Sequence, residues 1–285
     1  MLYGLMAYGM WGLVPIYFKA VAAVPPLEVL AHRIVWSVVI LCVVLVAQRR
    51  LGAALAALAD PRTRRVLALT TVLIAVNWFI FIWAVANDRV LEASLGYFVN
   101  PLVNVLLGLV FLRERLSRPA VAAVVLAVVG VAIQTGVTGR LPLVSLVLAA
   151  SFGFYGLLRK TATAGAVVGL TVETVLLLPA ALVWLAWQAS RSGMHFLAGD
   201  LSLDLLLVAA GVATALPLLA FTGAARRLRL STLGFLQYLA PTGQFLLAVL
   251  AYGEPFDRGR LLGFAFIWIA LVVFSADRLR RARRA

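Results

Sequence analysis

The chain has 285 residues, 64% of them hydrophobic and 13% charged, with a formal net charge of +14 and a mean hydropathy of +1.04. A soluble domain has about 45–50% apolar and about 25% charged residues and still needs a polar surface. This composition therefore excludes an ordinary cytosolic enzyme, a disordered chain and a disulfide scaffold, and points to an integral membrane protein.

Continuous apolar runs predict helices over 2–22, 27–47, 66–86, 91–112, 119–136, 141–158, 167–188, 203–224, 231–252 and 259–276. At about 20 apolar residues per span, ten helices use most of the chain and leave no room for a sizeable soluble domain. Runs of this kind, without alternation, exclude a membrane barrel. The first run begins almost at Met1 without a charged leader or a small-residue cleavage site, and reads as a retained helix. Cys42 has no second cysteine to bridge to, and His32 and His195 are too few for a zinc site. No cofactor or metal is expected, and His195, in a loop, is expected to do nothing specific.

The basic residues divide unevenly. Eighteen fall after the second, fourth, sixth, eighth and tenth helices, six fall on the opposite loops, and Arg33 lies inside the second helix. The positive-inside rule then puts both termini in the cytoplasm, which requires an even number of spans. The basic tail reads as a topology signal and an anchor to anionic lipid rather than a nucleic-acid site.

The chain also repeats itself. Pro101, Asn104, Leu106-Leu107 and Glu114 recur as Pro241, Gln244, Leu246-Leu247 and Glu254, at one offset of 140 residues. Ser94-Leu95-Gly96-Tyr97-Phe98 resembles Thr232-Leu233-Gly234-Phe235-Leu236, and the Gly9–Gly12 segment resembles Gly153–Gly156. Five helices per copy is an odd number, so the second copy starts on the opposite side and runs upside down. The expected fold is an all-α polytopic membrane protein of two inverted five-helix repeats, 1–138 and 139–276, followed by a basic tail over 277–285. In such duplications the site lies near the midplane, where the copies meet.

Candidate site residues follow from depth and polarity. Pro101 and Pro241 each lie about ten residues into a predicted helix, roughly 15 Å deep in a ~30 Å core. Each frees a backbone carbonyl, which reads as a cavity for the matched pair or as a packing kink. Glu92, Gly96, Asn100, Asn104 and Gly108 form one stripe, and Gly234, Gln237, Pro241, Gln244 and Ala248 answer it. Amides facing lipid are costly, so both stripes should face the bundle, as ligand contacts or as helix–helix glue. Trp11, Asn77, Trp78, Tyr97, Tyr155 and Tyr238 are expected at comparable depth. An aromatic-walled cavity with a few amides suits an amphipathic or aromatic solute better than a bare ion.

Arg33 and Glu173 are the costliest residues to bury and are again 140 apart. Each lies six residues into its helix from opposite faces, which leaves about 12 Å between their levels. Separate roles are expected, Arg33 near the outer vestibule and Glu173 near the inner one, with Glu173 the best candidate for proton coupling. Arg33 alternatively snorkels outward over Trp36. Glu28 and His32, four apart near the outer edge, read either as a proton-passing pair or as a polar helix end. Glu92 is a further gating candidate.

The run Leu91-Glu92-Ala93-Ser94-Leu95-Gly96-Tyr97-Phe98-Val99-Asn100-Pro101-Leu102-Val103-Asn104 resembles the RarD branch of the EamA-type drug/metabolite transporter superfamily, which is labelled by chloramphenicol sensitivity. So do His32-Arg33-Ile34-Val35-Trp36, Asn77-Trp78, Phe81-Ile82-Trp83-Ala84 and the segment from Arg227 to Phe235. The resemblance implies ten helices, two inverted repeats, a bacterial inner-membrane location and a permease role, with export preferred. The expected partners are a small-molecule solute, the lipid bilayer and, for coupling, protons or the solute gradient; monomer and homodimer stay open. No phosphate-binding loop is present, which argues against direct ATP drive. The rival readings are a polytopic enzyme acting on lipid, which needs clustered catalytic groups that do not appear, and a structural or sensory membrane protein.

Overall fold

The structure is a computed structural model. It describes all residues except 114–116, 161–162, 192, 226, 229–231, 234–235 and 283–285. Glu114, Gly234 and Phe235, members of the repeat motifs, lie outside the described residues, as do Arg226, Arg229 and the end of the basic tail.

The described residues are helical and contain no strand. In chain order the helices are α1 (Leu2–Ala20), α2 (Pro26–Ala47), α3 (Leu51–Ala59), α4 (Pro61–Ala86), α5 (Val90–Leu112), α6 (Arg118–Thr138), α7 (Leu143–Arg159), α8 (Ala166–Ser190) and α9 (Leu201–Ala225). Then follow α10 (Leu239–Leu246), which continues as a π-helical turn over Leu247–Ala251, and α11 (Arg258–Ala282). Seven of these, α2, α4, α5, α6, α8, α9 and α11, are long and apolar enough to cross a membrane. α1 is 19 residues long and carries Pro15 and a lysine, while α7 and the α10 segment are shorter apolar helices.

Local chemistry sets the boundaries. Asp60 caps α4 by accepting the Thr63 N–H at 2.8 Å, with Pro61 at the first helical position. Ser117 caps α6 through Ala120 N–H at 3.1 Å, and Gly139, at φ +67°, ends it in the left-handed region. Three boundaries differ from expectation. Arg49 to Arg65 was expected as a loop but contains α3, a nine-residue helix too short to span, which buries Ala54 and Ala57. Of the expected helix 231–252, Thr232, Leu233 and Leu236 are helical, Gln237-Tyr238 form a turn because Pro241 cannot donate to the Gln237 carbonyl, and the helix resumes at Leu239 as α10. Pro241 thus sits in the first turn of α10, whereas Pro101 lies well inside α5. The last helix runs on through the start of the tail to Ala282.

Packing pairs the two halves of the chain. α6 packs on α11, α2 on α8 and α9, α5 on α7 and α10, α1 on α9 and α10, and α4 on α7 and α8. The crossings are close. A Cβ on Gly243 of α10 would stand 3.0 Å from Gly12 Cα of α1, and one on Gly96 of α5 would stand 2.7 Å from the Ser145 carbonyl of α7. Val110, Val183, Leu250 and Val272 are 66–77% exposed. In a chain of this hydropathy such outward-facing aliphatics are lipid-facing surface.

Candidate functional site

Arg33 projects from α2 into the bundle. Its Nε donates to Thr214 Oγ1 of α9 at 2.9 Å. Its guanidinium lies over the Trp78 ring of α4 at 4.1 Å and near the Phe18 ring of α1 at 5.5 Å. Tyr17 and Tyr97 are within its electrostatic reach. The outward snorkel over Trp36 is not what occurs; Trp36 instead faces Phe196, with ring centroids 6.4 Å apart.

Glu173 of α8 is sealed from solvent, with 0% exposure. Its carboxylate accepts from Thr70 Oγ1 of α4 at 2.6 Å and from the Tyr155 hydroxyl of α7 at 3.1 Å, and Arg159 Nε stands 3.8 Å away. Arg33 and Glu173 do not pair, in agreement with the depth estimate. Arg159 reaches the carboxylate only because residue 169 is glycine; a Cβ there would fall 2.1 Å from Arg159 Nη1.

The amides are occupied between helices. Asn77 Nδ2 donates to the Leu148 carbonyl at 3.1 Å and to Ser151 Oγ at 3.0 Å, and Tyr97 donates to Asn77 Oδ1 at 3.2 Å. Asn100 Nδ2 donates to the Ala149 carbonyl at 3.2 Å, and Asn104 Nδ2 donates to Asn100 Oδ1 at 3.0 Å. In the other half Gln244 Nε2 donates to the Trp11 carbonyl at 3.1 Å. Asn77 and Asn100 therefore clamp α4 and α5 to α7, and Gln244 clamps α10 to α1, while the Asn104 bond stays within α5. Pro101 and Pro241 are buried, Gln237 and Tyr238 are half-buried, and Trp11 packs in a separate cluster with Tyr8 and Phe221. A cleft of about 590 Å³ beside α3 is lined by Arg50, Asp60, Thr63 and Thr163 among others, and by none of the expected site residues.

The outer polar cluster differs from expectation. Glu28 is fully buried, yet its partner is not His32. It accepts from the His195 backbone N–H at 2.7 Å and from the Phe196 N–H at 3.3 Å, and His195 Nδ1 lies 2.9 Å from its second oxygen. Asp204 accepts the Leu197 N–H at 2.7 Å. His195, expected to be idle, is thus part of a strap tied across the end of α2, and His32 packs at a tilt of 48° against Phe196 with its ring nitrogens buried and unpartnered among the described residues. Glu92 is at the surface, 3.4 Å from Arg140. Thr70, Thr214, Arg159 and Glu254 also went unassigned at sequence level. Glu254, seen only as a repeat marker, accepts the Val90 and Leu91 N–H groups at 2.6 and 2.9 Å and so caps α5 from across the fold.

Comparison with known proteins agrees with this architecture. Residues 1–135 match the EamA-like transporter family. A protein of Vibrio cholerae called an uncharacterized transporter is 52% identical, over 100% of this chain and 95% of that protein. Protein RarD of Salmonella typhi is 50% identical over 99% of this chain and 96% of its own length. A solved crystal structure shares the fold at a TM-score of 0.62 and 20% identity, covering 100% of this chain and 98% of the other. With half of all positions identical from end to end, this multi-pass membrane protein belongs to the RarD branch of the EamA-like transporter family.

Proposed function

We propose that the chain is a secondary permease that moves a small organic solute across the bacterial inner membrane by alternating access. In this reading ten spans form two inverted five-helix repeats, with both termini in the cytoplasm. α1, α2, α4, α5 and α6 make the first repeat, and α7, α8, α9, α10 and α11 the second.

The observation that carries the reading is the exchange behaviour of the helix contacts. Swapping the two sets maps the main packed pairs onto themselves. α6–α11, α2–α8 and α5–α10 each map to themselves; α5–α7 maps to α1–α10, α4–α7 to α1–α9, and α2–α9 to α4–α8. Side chains follow the same rule. Asn100 clamps α5 to α7 where Gln244 clamps α10 to α1. Thr70 holds Glu173 across α4–α8 where Thr214 holds Arg33 across α9–α2. Two copies related in this way can trade conformations, which gives inward-open and outward-open states of similar energy. Glu173, buried beside one arginine and two hydroxyls, is placed to take up a proton as its surroundings open, and protons or the solute gradient supply the drive.

The test is flux in proteoliposomes loaded with candidate solutes. Saturable counterflow is expected. Glu173→Gln should abolish pH-driven flux while leaving exchange intact, and Gln237→Ala, at the turn before α10, should alter flux without unfolding the protein. A folded protein with no saturable flux would refute the permease, and pH drive retained in Glu173→Gln would refute the coupling role.

A further inference from the structure

Arg33 carries a charge that the protein leaves unanswered. Among the described residues no carboxylate pairs with it. Glu28, one turn away on the same helix, is taken by His195 and Phe196, and Glu173 by Thr70, Tyr155 and Arg159. The hydroxyls within its reach donate elsewhere, Tyr17 to the Leu206 carbonyl and Tyr97 to Asn77. Of the five guanidinium N–H groups, the one on Nε is used, on Thr214. Those on Nη1 and Nη2 meet no acceptor among the described residues, and neither nitrogen is sealed off, the residue being half-buried.

A lone guanidinium inside a membrane bundle is expensive, and such groups mark ligand pathways. Here it is also oriented. The guanidinium sits over the Trp78 face and Thr214 holds its Nε edge, which leaves the Nη pair free as a fork. A planar fork matches the two oxygens of a carboxylate or phosphonate, and a bidentate pair of that kind is among the strong hydrogen-bonded contacts. The surrounding wall is aromatic. Phe18 meets Phe81 at 5.9 Å, and Phe81 meets Tyr97 at 5.8 Å.

We infer that Arg33 is the oxyanion-binding residue of the transport site, and that the solute is an organic anion with an aromatic or otherwise apolar body. This rests on the permease reading and narrows its substrate class. Entry of the anion supplies Arg33 with the counter-charge it lacks among the described residues, so the loaded carrier is better suited to rearrange within the bilayer than the empty one.

The test uses the full chain, purified in detergent at fixed chloride, with 3-phenylpropanoate, its neutral amide 3-phenylpropanamide and 2-phenylethylphosphonate as probes of binding by calorimetry. The acid and the phosphonate should bind about tenfold or more tightly than the amide. R33Q should erase that preference. Its thermal midpoint without ligand should not fall below that of the wild type, because the substitution removes an uncompensated charge; a purely structural arginine would lower it. R33K, which keeps the charge but not the fork, should lose more affinity for the acid than for the amide. Equal binding of acid and amide, a preference that survives R33Q, wild-type behaviour of R33K, or saturation by chloride alone would each overturn the inference. Counterflow of the amide with no preference for the acid would leave the permease standing without the oxyanion site. Tight acid binding with no flux of any probe would leave the site standing without the permease.

Discussion

Arg33 and Glu173 lie 140 residues apart in the chain, each bonded to one threonine of a neighbouring helix, yet they are compensated differently. Glu173 has two hydroxyl donors and a nearby arginine and is closed off from solvent. Arg33 has one threonine, an aromatic face and two free nitrogens. A charge neutralised within the protein can serve as a fixed element that titrates when its shell opens. A charge left bare can serve only if something arrives to neutralise it. Two buried-helix charges of opposite sign thus sit in contrasting surroundings, one closed and one open.

The largest effect should come from breaking the closed side. Arg159→Ala leaves a buried carboxylate without its cation, and loss of one partner of a buried pair costs about 3–5 kcal/mol. The low end is expected, about 3 kcal/mol, because Thr70 and Tyr155 still donate and the Arg159–Glu173 separation is 3.8 Å. Adding Glu173→Gln should restore most of the loss. Reversible unfolding in mixed micelles measures both, and additive effects would mean the two residues are not coupled.

The two threonines sharpen the contrast. Thr70→Val removes a 2.6 Å bond to a sealed anion and should cost about 1.5–3 kcal/mol. Thr214→Val removes the matching bond to Arg33, but the freed Nε lies next to nitrogens that water already reaches, so the cost should stay below about 1 kcal/mol. Equal costs in the same unfolding assay would remove the distinction between a closed and an open site.

Much of this was legible in the sequence, and the reasons are physical. Apolar runs gave the long helices because lipid demands length and hydrophobicity together. The separation of Arg33 from Glu173 followed from rise per residue alone. α3 was missed because nine residues of alanine, leucine and one glycine between basic clusters carry no spanning signal. The partners of the buried charges were also invisible. Thr70 and Arg159 lie in different helices from Glu173, and one sequence does not say which helix faces meet. His195 reaches Glu28 across 167 positions, so its loop looked idle. Asn100 and Gln244 of the two stripes are buried and Asn104 is exposed, and whether the buried amides clamp helices or hold a ligand depends on carbonyls whose positions only the fold supplies.

Those clamps give the next effect in size. Asn100→Ala removes bonds to both Ala149 and Asn104 and should cost about 1–2 kcal/mol. Gln244→Ala removes one bond and also an Oε1 that is buried without a partner, so its net cost should be smaller, about 1 kcal/mol or less. The order would be read from midpoints in the same denaturant series. A reversal would mean that α10 is pinned to α1 more tightly than α5 is to α7.

Glu254 offers an intermediate degree of compensation, and the smallest predicted effect. It lies in the loop after the π turn, bonded to the partial positive end of α5, with the charges of Lys19 and Asp88 within electrostatic reach. Burial raises its pKa, against the lowering effect of the Leu91 and Val90 N–H bonds. A carboxyl whose folded pKa is raised favours folding in its protonated form. That contribution is complete below the ordinary glutamate range and is lost as pH rises through the raised value. Glu254→Gln mimics the protonated group, so it should flatten this part of the pH–stability profile and change stability at neutral pH by roughly 1 kcal/mol or less. Midpoints measured from mildly acidic to neutral pH decide it. If the wild type instead gained stability over that interval and the glutamine variant did not, the helix dipole would outweigh burial, and Glu254 would belong with Glu173 as a fully compensated charge.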